Sequence, residues 1–245
     1  MSIEELVKAA EEDDSVLQVF VIRHGRTPEN DRRIIQGHMN TSLNETGQDQ
    51  AKTCGTRVLT HVPFDAIWSS DLLRCLQTRD LALSSHLTSI PPAHIHETDL
   101  LRERGFGDLE GFRANVALEI LKQRGQTFET AGEKIEIFQA RLAMAWDAIL
   151  DEAFEHGFKR VAVVTHGGNL VHLLRKQRGY KFADSIPTNR ISGLLNTSIT
   201  IINVTRSTKD KTISSGAIVE FNNAEHLRDE EDATSSGRDK VVDNF

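Results

Sequence analysis

Two cysteines in 245 residues are too few for a disulfide framework, and a reducing compartment accommodates Cys54 and Cys75 as free thiols. No apolar stretch is long enough to span a bilayer. The opening segment MSIEELVKAAEEDDS is acidic and has no apolar centre, which argues against a signal or transit peptide. Basic charge is also in deficit. With 29 Lys and Arg against 36 Asp and Glu the formal net charge is −7, so a general binder of nucleic acid or of membrane surfaces, which would need a basic face, is not expected. The expected location is the cytoplasm, with nuclear access left open, and any anionic ligand must be drawn by local charge. Internal repeats and H-E-x-x-H metal spacings are absent too, which leaves His94, His96 and His172 as structural or exposed histidines.

What is present is the profile of a globular protein, 38% hydrophobic and 27% charged. VLQVFVI and RVAVVTHGG are continuous apolar runs rich in β-branched residues, the pattern of strands covered on both faces. FDAIWSS is a shorter strand candidate and AHIHET a weak one. Between them Leu76, Leu83 and Leu87, and later Ile135, Phe138, Leu142 and Ile149, recur at helical spacing. Ser70 is the expected N-cap of the helix after FDAIWSS, with Asp71 in its first turn, and Asn44 the expected cap of the helix through Gln50 and Ala51. NTSITIINV and SGAIVEF, joined by the polar loop TRSTKDKT, predict an antiparallel pair. The expected fold is α/β: a three-layer sandwich with a mostly parallel central sheet, helices on both faces, and an antiparallel strand near the C-terminus. Residues 1–15 form an acidic leader, 16–224 the main domain with a helical lobe at 108–157, and 225–245 a charged tail low in apolar residues.

Ligands of parallel sheets bind at the carboxyl ends of strands. Arg23 and His24 lie at the end of the first strand, and Thr165, His166, Gly167 and Gly168 at the end of a later one. WSSDLLRC brings Arg74 to the same rim, and LLRERGFGDLEG adds Glu103 among glycines that suit a bent loop. Two arginines, two histidines and a carboxylate match a phosphoryl group. Guanidinium forks grip its oxygens, an imidazole can attack phosphorus, and a carboxylic acid can protonate the departing alkoxide.

These residues resemble the histidine phosphatase superfamily, also called phosphoglycerate mutase-like, and its phosphatase branch in particular. Arg23-His24-Gly25 corresponds to the Arg-His-Gly signature, with Thr27 and Asn30 following; Gln36 and Gly37 match a phosphate-loop position, Arg74 the second arginine, Glu103 the acid, and VTHGG the second histidine. The matches run from about residue 17 to residue 205. Asn40, where many relatives are acidic, and the segment from Phe112 to Thr130 depart from the pattern. The resemblance implies a phosphomonoesterase that forms a phosphohistidine on His24. Arg23, Arg74 and His166 would stabilise the transferring oxygens, and Glu103 would act as acid and then as base. The phosphate would be held by Arg23, Thr27, Asn30, Gln36, Gly37, Arg74, His166 and Gly167. Neither metal nor other cofactor is implied, the substrate would be a small phosphate ester, and a homodimer stays open.

Each residue has an ordinary alternative when taken singly. An isolated histidine is more often structural than catalytic, and Glu103 could be a surface partner of Arg102 or Arg104. Cys75 could feel the field of Arg74, though helix packing is the simpler reading. A metal site formed by His24, His166, Glu103 and Asp71 conflicts with the nearby arginines. Two rivals share the fold: a mutase that returns the phosphoryl group to its substrate, disfavoured by Thr27 where mutases usually have serine, and a silent phosphate-binding module, disfavoured by the presence of His24 and Glu103.

Overall fold

The computed structural model describes residues 2–173, 180–183, 186, 193–206 and 213–228. The acidic leader folds into helix α1 (Ile3–Glu11), begun by a reciprocal cap in which Ser2 Oγ accepts from Glu5 N and Glu5 Oε2 accepts from Ser2 N. Its apolar face, Ile3, Leu6 and Val7, is buried against the sheet, so the leader adds to the core. There follow β1 (Val16–Arg23), α2 (Pro28–Arg32), α3 (Glu45–Arg57), β2 (Ala66–Ser70), α4 (Leu73–Ala82) and β3 (Ile95–Thr98). The second half holds α5 (Ala114–Gln123), α6 (Ile135–His156), β4 (Arg160–Thr165), α7 (Gly167–His172), β5 (Lys181–Phe182), β6 (Ile199–Arg206) and β7 (Ile213–Asn223).

The strands form one sheet in the order β3-β2-β4-β1-β6-β7-β5. The first four are mutually parallel; β6 runs antiparallel to both β1 and β7, and β5 parallel to β7. The expected mostly parallel sheet with a C-terminal antiparallel pair is therefore found. The loop at 207–212 lies outside the described residues.

The apolar runs have the two-sided burial that their composition implies. Leu17, Val19, Val21, Val161 and Val163 face α6, whose Phe138, Leu142, Trp146 and Ile149 are almost fully buried. Phe20, Ile22, Ile67, Ala162 and Val164 face α1, α3 and α4. Trp146 satisfies its indole N–H on the hydroxyl of Tyr180 at 2.7 Å, which removes the cost of burying that donor. A third cluster, Phe106, Leu109, Ala117, Leu121 and Phe128, gives the lobe its own small core.

Two details of helix placement differ from expectation. Ser70 closes β2 and α4 begins only at Leu73, because Asn40, from a loop far away in sequence, accepts from Leu73 N at 2.7 Å and supplies the missing cap. Asp71 is thereby outside the helix and pairs with Arg102. The helix also ends earlier than the leucine spacing suggests, at Ala82; Leu83 caps it and Leu87 belongs to the turns that follow. Asn44 caps α3 as expected, accepting from Gly47 N at 2.8 Å.

The first residues of the charged tail are docked, and 229–245 lie outside the described residues. Glu225–Leu227 make a short 3-10 turn that buries His226, whose Nε2 lies 3.0 Å from Thr197 Oγ1. Burial, aided by the charge of Arg57, lowers its pKa from 6.5 to about 4. On acidification the unfolded chain takes up this proton first, so stability is full above pH 6.5 and falls as the pH drops towards 4. For His226 the loss is on the order of 3 kcal/mol. In urea unfolding between pH 6.5 and 4, His226→Gln is expected to lose less stability than the parent chain, by about one proton's worth of slope.

Candidate active site

Register is what brings the rim together. Arg23 at the end of β1 lies opposite Thr165 at the end of β4, and His24 N continues the ladder onto Thr165 O at 2.9 Å. His24 and His166 therefore leave neighbouring strands at the same height, with ring centroids 5.3 Å apart and planes inclined at 61°. β2 flanks β4 and ends on Ser70, whose Oγ lies 3.0 Å from His166 Nε2.

His24 is 4% exposed. Its Nδ1 is 2.8 Å from the Gly25 carbonyl oxygen, which can only accept, so Nδ1 carries the proton and Nε2 keeps its lone pair. Burial first, and then the charges of Arg74 and Arg23, hold its pKa well below 6.5. His166 is driven in the same direction by burial, with Arg74, His24, Arg141 and Arg23 adding to the effect. Both imidazoles are thus neutral at physiological pH. Cys75 Sγ lies 3.4 Å from His166 Nε2, and burial pushes its thiol up to about 12 despite the opposing pull of Arg74.

Arg74 is 1% exposed and donates to the carbonyls of Met39 at 2.8 Å and Gly37 at 2.9 Å. Its Nε is buried with no hydrogen-bond partner among the described residues. Arg23, also buried, donates to the Leu194 carbonyl. The Glu103 carboxylate accepts from Arg104 N and from Gly168 N, each at 2.9 Å. That approach needs a glycine, since a Cβ at residue 168 would come within 2.2 Å of Glu103 Oε1. Gly167 lines the other side of the rim with more room, where a Cβ would meet Arg23 Nε at 3.4 Å.

The remaining expected phosphate contacts have local duties. Thr27 and Asn30 bond to each other in the cap of α2, and Gln36 Oε1 accepts from Thr41 Oγ1 at 2.6 Å. Gly37 joins the site through its carbonyl on Arg74, in a left-handed conformation with φ of 46°.

Sequence reasoning missed the residues that hold Glu103. Arg141, on α6, donates to the carbonyls of Leu100, Arg102 and Glu103 and pairs with Glu133 at 2.7 Å. Arg104 donates to four carbonyls between Phe128 and Glu133. Neither arginine pairs with the Glu103 side chain, and Arg102 is engaged by Asp71, so Glu103 is not a surface ion-pair partner. Thr78 links the two halves of the rim, accepting from Gly25 N and donating to Arg74 O. Only its position one turn after Arg74 could have singled it out.

Known proteins resemble this chain in sequence and in fold. The profile of the histidine phosphatase superfamily, branch 1, matches residues 19–213, and the chain belongs to that superfamily. Within it, the chain is 33% identical over 232 residues to a broad-specificity phosphatase of Saccharomyces cerevisiae, covering 93% of this chain and 94% of the yeast protein. It is 35% identical over 219 residues to a probable phosphatase of Schizosaccharomyces pombe, covering 88% and 97% of the two chains. A crystal structure of phosphoglycerate mutase from Bacillus anthracis superposes with a TM-score of 0.68 at 24% identity, over 89% of this chain and 98% of the mutase, a likeness of fold. The protein is a phosphatase.

Gly168→Ala is expected to displace the Glu103 carboxylate by roughly 1 Å and to lower kcat for phosphate release by about 10²-fold with an unchanged circular dichroism spectrum. Steady-state assays on one phosphomonoester suffice to measure it.

Proposed function

We propose that this chain hydrolyses small phosphate monoesters in two steps through a phosphohistidine on His24. The observation that carries this reading is the state of His24: buried, neutral, with Nδ1–H anchored on Gly25 O and Nε2 left as the only nucleophilic atom. Nε2 attacks phosphorus in line with the ester oxygen, and the departing alkoxide takes a proton from Glu103. Water then attacks the phosphohistidine while Glu103 removes its proton, which returns the carboxylic acid for the next cycle. Charge on the transferring oxygens is met by Arg23 and Arg74, with His166 donating a hydrogen bond in its neutral form. Thr27, Asn30, Gln36 and Gly167 complete the phosphate cradle after local rearrangement of their present bonds. Two fixed guanidinium charges do what a magnesium ion does in other phosphoryl transfers, so no metal or other cofactor takes part.

The likeness to a broad-specificity phosphatase over 93% of this chain supports hydrolysis of several small metabolites rather than mutase activity. Segment 108–134, tied to the acid-bearing loop through Arg104, serves as the lid that sets substrate choice. Two cysteines left as free thiols suit a reducing compartment, the cytoplasm, as the place of work. Among the described residues no helix is long and apolar enough to cross a membrane.

Phosphate release from a panel of phosphorylated metabolites, with acid-quench detection of phosphorylated enzyme, tests the mechanism. His24→Ala is expected to retain below about one-thousandth of parental kcat and to give no labelled enzyme; substantial residual turnover sinks the nucleophile assignment. A strong chelator is expected to leave kcat unchanged. Because His24 is held neutral, the acid limb of kcat/KM that it controls is expected to fall below pH 6.5, the ordinary value for histidine, and a limb at or above 6.5 contradicts the assignment.

A further inference from the structure

At the amino end of the sheet, away from the phosphoryl site, His94, His96 and Glu152 converge. His94 closes the 3-10 turn that precedes β3, His96 lies within β3, and Glu152 projects from the last turns of α6. His94 Nδ1 and His96 Nε2 both sit 2.9 Å from the same oxygen, Glu152 Oε1. The three atoms lie within 4.8 Å of one another.

We propose that this trio is a binding site for a divalent transition-metal ion of the zinc or cobalt type, serving to fasten α6 to the edge strand β3. Two imidazoles and one carboxylate are the donor set that borderline divalent ions of this group prefer. Edges of a tetrahedron with such bonds measure about 3.3 Å, so the three ligand atoms close around an ion with only small side-chain rotations. Both histidines coordinate as neutral imidazoles. The ring proton that each now points at Glu152 moves to its other nitrogen, and the lone pair so exposed forms the bond to the metal. Water takes the fourth position.

The surroundings resemble those of built metal sites. Trp68 Nε1 donates to Glu152 Oε2 at 2.9 Å, which fixes the carboxylate and leaves Oε1 as its single ligand atom. Trp68 lies directly across from His96 in the β2–β3 pairing and stacks on its ring at 4.1 Å between centroids. His94 is held edge-on by His156 and Phe158, at 5.0 and 4.9 Å. The ligand side chains are only 15 to 29% exposed, and among the described residues no Lys or Arg is bonded to Glu152 to compete with a cation. The sequence hides this set because H-x-H and the distant glutamate match no common metal spacing.

The test uses the untagged 245-residue chain, stripped with chelator and titrated with cobalt or zinc chloride by calorimetry, with cobalt absorption as a report of coordination. One equivalent is expected to bind, and free metal at a hundredfold excess over Kd to raise Tm by about 5–10 °C. Phosphate release should not change. His96→Gln and Glu152→Gln are each expected to abolish the Tm rise, and Trp68→Phe to weaken binding about 10-fold to 100-fold. The unchanged phosphatase activity of these variants confirms that they fold, and His96→Gln, which leaves the Trp68 bond intact, decides the matter if Glu152→Gln is unstable. Absence of saturable binding up to millimolar metal, or full binding retained in His96→Gln, overturns the proposal.

Discussion

Everything at the candidate catalytic rim depends on one pairing, the parallel ladder between β1 and β4 that sets Arg23 opposite Thr165. A slip of one residue would turn one of the two histidines to the other face of the sheet. The ladder is protected against such a slip by two-sided burial, since Val19, Val21, Val161 and Val163 are committed to α6 while Phe20, Ile22, Ala162 and Val164 are committed to the opposite layer. The packing of the core thus fixes the distance between two side chains that contribute nothing to it. Ser70 at the end of β2 extends the same logic to a third strand.

Around this frame the loops are held by guanidinium groups. Arg74 gathers the carbonyls of Gly37 and Met39, Arg104 those between Phe128 and Glu133, and Arg141 those of Leu100, Arg102 and Glu103. Segments without regular structure leave backbone acceptors unsatisfied, and a five-donor planar cation satisfies several at once. Two of them, Arg74 and Arg141, also act with Arg23 as positive charges on His166, in a chain whose formal net charge is −7. Scaffold and electrostatics are supplied by the same residues, so a lysine in these places would lose geometry even while keeping charge.

The fold was legible in the sequence where burial dictates composition. VLQVFVI and RVAVVT could hardly be anything but two-sided strands, and strand ends then located His24 and His166. Legibility failed where a contact spans many residues. Asn40 caps α4 from 33 positions away, a job that local reasoning gave to Ser70, and Ser70 was thereby freed to meet His166. Arg141 looked like any polar residue on an amphipathic helix, and only the three-dimensional approach of residues 100–103 gives it work. Thr27 and Asn30, which the resemblance assigns to phosphate, also bond to each other in the cap of α2, and a residue pair that caps a helix has the same composition as one that binds an anion.

The burial of Cys75 beside His166 has a consequence for tolerance of oxidants. Peroxides and alkylating agents attack the thiolate, and a thiol raised to about 12 leaves roughly one molecule in 10⁵ in that form at neutral pH. Cys54, held at about 12 by the same burial, is no more reactive. In the proposed mechanism phosphoryl transfer at this rim runs on an imidazole nitrogen instead of a sulfur. On that mechanism, oxidants that silence phosphatases whose nucleophile is a low-pKa cysteine would find no reactive thiolate in the folded chain.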